Sequence, residues 1–286
     1  MGERDWTDRD QGDEVKSYAN TQIRPFSSAS MQMRLDRAML ERVETLGKAV
    51  FRTYRWRGPA ISLGRSNAVP VCTLRRLRRA GIEWVRRPTG GGILVHGFDA
   101  SFAVAVPQDH PAMRGSMVER GRRLAAPVLD ALRRLGYRPR FRPDVRRRAS
   151  PQGPAPLCFL QESPLDILVK GRKVAAFAQR VTAGTVFQHG SVMVKRLPVR
   201  MMGKLRKSGI GSAEDWAMVL KKTGALADSG AVTPRSVNRA VREEAVRAFP
   251  APSTRPSRLL ISGACSGPAR TKGVRAGAVS GPGRTS

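Results

Sequence analysis

Arg86-Arg87-Pro88-Thr89-Gly90-Gly91-Gly92-Ile93-Leu94-Val95-His96 sets three consecutive glycines between a basic segment and a resumed apolar run. This order reads as a strand, a turn without side chains and a second strand, and a backbone lacking Cβ atoms can press against a ligand. A tight hairpin needs glycine for the same reason, so the turn alone leaves both readings open. Further along, Asp166-Ile167-Leu168-Val169-Lys170-Gly171-Arg172-Lys173-Val174-Ala175-Ala176 describes a hairpin, with strands over 165–169 and 173–178 around a Lys170-Gly171 turn. No GxGxxG enters a helix and no GxxxxGKS is present, which excludes a dinucleotide fold and a P-loop. The apolar strand after Gly92 argues against a phosphate held at a helix N-terminus.

Working outward, Ser27, Ser28 and Ser30 offer N-caps to a helix in which Met31, Leu35, Met39, Val43 and Leu46 recur at helical spacing. Strands are expected over 50–56, 60–63, 82–87, 93–96 and 101–106, with a helix over 73–80. Ser116 and Glu119 form a capping box for a helix that Gly136 ends. Residues 137–156, rich in Arg and Pro, read as a solvated connection. Strands follow at 186–189 and 191–194. Ser212 with Asp215 caps a short helix, and Thr233-Pro234 opens another carrying Val237, Val241, Val246 and Phe249. The expected division is a polar, poorly ordered segment over 1–26, a folded domain over 27–250 and a disordered basic tail over 251–286.

The 286 residues are 41% hydrophobic, enough for a substantial core. The formal charge of +30 invites a nucleic-acid reading. Against it, the arginines are dispersed, Arg146-Arg147-Arg148 included, with few aromatics between them and no zinc-finger, RNP-like or basic-zipper pattern. A basic surface also suits steering of an acidic protein partner. Cys72, Cys158 and Cys265 lie far apart with no CxxC pair, so free thiols, no metal site and a cytoplasmic setting are expected. No apolar run is long enough for a membrane span.

Lys173 opens the apolar run Val174-Ala175-Ala176-Phe177-Ala178, where a desolvated ammonium could bind a carbonyl or phosphate oxygen; exposed, it would be an ordinary hairpin lysine. Cys158 reads as a small buried hydrophobe, or, beside an ammonium, as a thiolate nucleophile towards a thioester. His96 and His189 fit structural roles or general bases.

These blocks resemble the lipoate-protein ligase and octanoyltransferase branch of the biotin/lipoate attachment superfamily. The resemblance runs over about residues 28–200: Met33-Arg34-Leu35-Asp36, 54–64, the Arg86–His96 block, 166–180 and Gln188-His189-Gly190-Ser191. It implies an α/β (α+β) domain with a larger mixed sheet, a smaller sheet and packed helices. It also implies that Arg86, Gly90, Gly91, Gly92 and His96 line an acyl pocket, with Ala176 and His189 completing the substrate-binding set. Lys173 matches the lysine that contacts the acyl carbonyl or acyl-adenylate. Cys158, fifteen residues before Lys173, resembles the cysteine region of LipM-type octanoyltransferases. That branch implies octanoyl transfer through a Cys158 thioester without a cofactor, from octanoyl-acyl carrier protein to a lysine of a lipoyl domain or the glycine cleavage H protein. The alternatives are an ATP- and Mg-dependent lipoate-protein ligase acting through lipoyl-AMP, and a non-catalytic nucleic-acid-binding paralogue. The chain departs from the pattern at Ala176-Phe177, where a Gly and a small polar residue are usual, at Gln32, usually Asn, and at Gly97, often Asp.

Overall fold

The computed structural model describes residues 26–143 and 157–249. Among them a seven-stranded sheet and a three-stranded sheet are packed with six α-helices, the larger-and-smaller-sheet α/β arrangement expected. The strands are β1 (Phe26–Ser27), β2 (Val50–Trp56), β3 (Ala60–Leu63), β4 (Glu83–Arg86), β5 (Leu94–His96), β6 (Asp99–Pro107), β7 (Pro139–Phe141), β8 (Ile167–Val169), β9 (Arg172–Val181) and β10 (Thr185–Met193). The helices are α1 (Ala29–Leu46), α2 (Val71–Arg79), α3 (Met117–Arg134), α4 (Val199–Lys207), α5 (Ala213–Lys222) and α6 (Pro234–Ala248). The large sheet runs β1-β2-β6-β10-β9-β8-β7, antiparallel except for the β1–β2 pair, and the small sheet runs β4-β3-β5.

β6 shows why the large sheet lies at the centre. Its Phe102, Val104 and Val106 face α3 and α6, while Ala103 and Ala105 face α1, so both faces are buried and the strand is apolar from Phe102 to Pro107. Lys170 and Gly171 both have positive φ, at 50° and 75°, the conformation of a two-residue turn that matches strand twist between β8 and β9. Ser116 and Glu119 close the expected capping box on α3, and Gly136 follows that helix at φ 86°.

Several expectations change. The strands flanking the glycines do not form a hairpin: β3 lies between β4, its parallel partner, and β5, its antiparallel one. The Gly90–Gly92 loop therefore crosses the end of β3. Within 137–156, Pro139–Phe141 forms β7, an edge strand of the large sheet where proline is tolerated because one side needs no ladder donor. The strands expected at 186–189 and 191–194 are one, β10, with Gly190 in register opposite Phe102 and Phe177. The buried face of α1 is rotated from the apolar stripe: Gln32 and Asp36 are fully buried beside Met33, Met39 and Val43. α4 went unforeseen. Of the segment read as 1–26, Phe26 is described and pairs with Arg55 in β1, whereas 1–25, the Arg146–Arg148 cluster and the tail 251–286 lie outside the described residues.

Candidate active site

A small, partly open cavity lies where the two sheets meet. Contributions come from α1 through Met33, β2 through Tyr54 and Trp56, β3 through Ser62, the end of β4 through Arg87, and β5 through His96. β9 and β10 add Ala176 and His189, and a single-turn 3-10 helix over Cys158–Leu160 brings in Cys158.

Arg87 is buried, at 2% exposure, and its guanidinium is wrapped in backbone carbonyls. Nη1 donates to Ser62 O at 2.8 Å, Nη2 to Gly90 O at 2.8 Å and Gly92 O at 2.6 Å, and Nε to Gly90 O at 3.1 Å. The glycine loop can turn two carbonyls onto one cation because Gly91 sits at φ 91°, a conformation costly for other residues. Burial pushes the Arg87 pKa down, and the neighbouring Cys158 and Tyr54 side chains partly restore it, which sets the thiol within the field of the guanidinium.

Two imidazoles face the cavity, each in a hydroxyl–imidazole–carboxylate chain. In the first, His96 Nε2 lies 2.8 Å from Ser62 Oγ and Nδ1 lies 2.8 Å from Asp99 Oδ2. Ser101, Ser191 and the Gly97 N–H also donate to Asp99, and Trp56 stacks on the His96 ring at 3.9 Å between centroids. Burial raises the Asp99 pKa, but His96, Ser191 and the Gly97 N–H reverse this and hold it below the ordinary value. In the second, His189 Nε2 lies 2.6 Å from Thr89 Oγ1 and Nδ1 lies 3.1 Å from Asp36 Oδ2. Asp36 also accepts from Arg52 Nη1 at 2.7 Å and from the Tyr54 hydroxyl at 3.0 Å. Burial pushes the Asp36 pKa up, and His189, Arg52 and Tyr54 bring it below the ordinary value. Burial lowers the pKa of His189 and Asp36 only partly restores it, so the ring is neutral near pH 7, with Nδ1–H on the carboxylate and Nε2 as acceptor.

The Cys158 turn is fixed from both sides. Its N–H donates to Ile93 O at 2.7 Å, and the Gly92 N–H donates to Gln161 Oε1 at 3.1 Å, so turn and glycine loop are laced together. From below, Lys173 Nζ donates to Cys158 O at 3.1 Å and to Gln161 O at 2.7 Å, and forms an ion pair with Asp166 Oδ1 at 2.9 Å. Burial raises the Asp166 pKa, and Lys173 opposes that rise.

The profile of the lipoyl protein ligase A/B catalytic domain matches residues 28–226. The chain belongs to this family. Relatives include the octanoyltransferase LipM of Kyrpidia tusciae, 32% identical over 186 residues that cover 63% of this chain and 67% of the relative. The octanoyltransferase LipM of Lysinibacillus sphaericus is 33% identical over 58% of this chain and 62% of its own length. That of Bacillus subtilis is 30% identical over 59% and 62%. The matched segment therefore spans between 62% and 67% of these three proteins. Among solved structures, lipoate-protein ligase A bound with ATP superposes with a TM-score of 0.61 at 19% identity, covering 81% of this chain and 85% of that one. The Thermoplasma acidophilum protein Ta0514 with bound lipoic acid gives 0.57 at 17% over 81% and 85%. At these identities the likeness speaks for the fold.

Within this lipoyl ligase A/B fold the structure brings His96, Cys158, Ala176 and His189 to one cavity. Gly90 and Gly92 hold its arginine rather than facing the cavity themselves. Arg86 points elsewhere: its Nη1 donates to the carbonyls of Gly64, Arg65 and Asn67, and the cavity arginine is the adjacent Arg87. Lys173 lies beneath the Cys158 turn and is not among the residues lining the cavity. Sequence reasoning passed over Arg87, Ser62, Thr89, Asp36 and Asp99. For Asp36 a signal was available, a carboxylate at a core-facing helical position beside Met33, Met39 and Val43. Among the described residues no cluster of His, Cys, Asp and Glu could hold a metal, and no helix is long and apolar enough to cross a membrane.

Proposed function

We propose that this protein is an acyltransferase of protein lipoylation, in which Cys158 takes an octanoyl group from octanoyl-acyl carrier protein and passes it to a lysine of a lipoyl domain or the glycine cleavage H protein. The observation that carries the reading is the placement of Cys158, a thiol held on a rigid turn, at a largely apolar cavity and beside a buried guanidinium. LipM relatives at 30% identity and above support it. No cofactor enters the reaction, and residues 27–250 act as the catalytic domain in the cytoplasm.

The Cys158 sulfur attacks the thioester carbonyl, the carbonyl π-electrons move to oxygen, and collapse expels the donor thiolate, which takes up the proton lost by Cys158. Arg87, whose charge is felt at Cys158, would stabilise the oxyanion in a water-poor site. Lys173 serves by holding the Cys158 and Gln161 carbonyls, so that the turn presents sulfur to the cavity. Ala176 and Ala178, opposite Ser191 and His189 in the ladder, leave room for an acyl tail because their side chains are small. The acceptor amine then displaces Cys158.

Intact-protein mass spectrometry after incubation with octanoyl-acyl carrier protein, without ATP, tests this. An octanoyl adduct labile to thiols is expected on the wild type and not on Cys158→Ser. No adduct, under conditions where lipoate with ATP and Mg modifies a lipoyl domain, would replace transfer by adenylating ligation.

A further inference from the structure

Of the two hydroxyl–imidazole–carboxylate chains, one ends on a hydroxyl at the cavity. Thr89, the hydroxyl on His189, is fully buried and is not among the lining residues, whereas Ser62, the hydroxyl on His96, lines the cavity together with His96 itself. Strand register makes the pair. His96 on β5 lies opposite Ala60 on β3, so Ser62, two residues further on, is its diagonal neighbour on the same face. Gly97, at φ 104°, then turns the chain out of the small sheet, and Asp99 at the start of β6 meets the other ring nitrogen.

We propose that Ser62 is a second nucleophile in this cavity, an oxygen activated by His96 and oriented through Asp99, which takes an apolar acyl group from an activated ester or thioester. Asp99 fixes the ring. Its Oδ2 lies 2.8 Å from His96 Nδ1 and accepts from Ser101 at 3.0 Å and Ser191 at 2.7 Å, while Oδ1 accepts from the Gly97 N–H at 3.0 Å. A carboxylate surrounded by donors only accepts, so Nδ1 carries its proton, and in the neutral ring Nε2 accepts from the Ser62 hydroxyl at 2.8 Å. Trp56, stacked on the ring with 19° between planes, keeps it in line. Arg87 Nη1 lies 3.3 Å from Ser62 Oγ, a cation beside the oxygen where negative charge develops. Met33, Leu94, Ala176 and Phe177 in the cavity wall suit an alkyl chain.

In the step, the Ser62 hydroxyl proton passes to His96 Nε2 as Oγ bonds to the acyl carbonyl carbon. The bond to the leaving group then breaks, that group takes the proton from His96, and an acyl ester remains on Ser62. Water discharges it by the same route: its proton goes to His96, its oxygen bonds to the carbonyl carbon, and the ester bond breaks as Ser62 Oγ recovers the proton. Ser101 provides an internal comparison. It lines the same cavity and donates to the same carboxylate, but its oxygen accepts from the Trp56 indole N–H at 2.9 Å and meets no imidazole.

The test treats the full-length wild type with an octyl fluorophosphonate, which phosphonylates activated serine oxygens with loss of fluoride, and maps the adduct by peptide mass spectrometry. A phosphonate on Ser62 and none on Ser101 is expected, with labelling about 100-fold slower in His96→Gln. An unlabelled Ser62, a Ser101 labelled equally fast, or a His96→Gln rate equal to the wild type would each overturn the proposal. If His96→Gln does not fold, the comparison of Ser62 with Ser101 in the wild type decides. With p-nitrophenyl octanoate, Cys158→Ala should release p-nitrophenolate about 100-fold faster than the same protein carrying Ser62→Ala as well, and equal release would show that Ser62 accepts no acyl group. The phosphonate reads Ser62 while octanoyl loading reads Cys158, so either assignment can fail while the other holds.

Discussion

Replacing Gly64 by Ala should disable the site while leaving the fold standing. Gly64 directly follows β3, and its N–H donates to Asn67 Oδ1 at 2.6 Å. A Cβ on Gly64 would lie 2.0 Å from Gly91 O, whereas real Cβ contacts essentially never fall under 3.0 Å. Backbone on backbone cannot yield by a rotamer change, so the glycine loop must retreat by about 1 Å or more. That loop supplies the Gly90 and Gly92 carbonyls to Arg87, carries Thr89 to His189, and is tied through Gly92 to Gln161 on the Cys158 turn. A misplacement of about 1 Å in such a constellation is worth on the order of 100-fold in rate. Overpacking on this scale costs about 1–3 kcal/mol, and each kcal/mol moves the melting temperature by roughly 2–4 °C in a domain of this size. Loading of Cys158, followed by intact mass against time, should therefore fall by about two orders of magnitude, with a modest drop in melting temperature. Loading at the wild-type rate would refute the claim that the loop is wedged against β3 and that its position sets the site.

Gly190→Ala should lower stability by about 1–3 kcal/mol, because its Cβ would lie 2.3 Å from Phe177 Cδ1; combined with Phe177→Leu in thermal melts, much of that loss should disappear, showing coupling across the β9–β10 pair. Asp36→Asn removes the carboxylate from Arg52 and His189 and should cost about 3–5 kcal/mol at pH 7. Because the folded pKa of Asp36 is below its ordinary 3.8, the stabilisation is full above that value and lost as pH falls through the folded one, so acid melts of the variant should be flatter below about pH 4. Lys173→Met should strongly lower the melting temperature by leaving Asp166 buried without its cation, and adding Asp166→Asn should recover more stability than loading activity, since Cys158 O still lacks its donor. Arg87→Lys keeps the charge but not the planar fork on Gly90, Gly92 and Ser62, so loading should fall less than in Arg87→Gln.

Much of this fold was legible where a signal was local. β2 and β3 have the expected bounds, and the capping boxes at Ser116 and Ser212 start their helices where the side chains say they should. Partnership was not legible. Alternation identifies strands on either side of Gly90–Gly92, but it carries no information about β3 lying between them. The same limit explains Arg86 and Arg87. Consecutive residues at a strand end point to opposite faces, so one pins the 64–67 turn and the other enters the cavity, and only the sheet's packing says which. Asp36, Asp99 and Ser62 are buried polar groups whose purpose appears once β2, β5 and β10 bring their partners from elsewhere in the chain. α4 escaped because its Met201, Met202 and Leu205 sit among basic residues that read as surface.

The glycine loop has a polarity that separates this site from the phosphate loops its sequence superficially suggests. A phosphate loop presents N–H groups to an anion. Here the Gly90 and Gly92 carbonyls turn onto Arg87, and the outward gift of the loop is a buried cation rather than a ring of donors. Among the described residues Arg87 makes no carboxylate ion pair, unlike Arg52 with Asp36 and Lys173 with Asp166. Carbonyl dipoles solvate it without cancelling its charge, so the cavity retains a positive potential that a neutral ligand does not quench. In the reaction proposed, such a site would stabilise the oxyanion that forms more than the uncharged thioester, and that difference is what would lower the barrier. The glycines, on this argument, are needed for how closely their own carbonyls can approach an arginine, which is why the wedge at Gly64 and the fork of Arg87 should fail in the same assay.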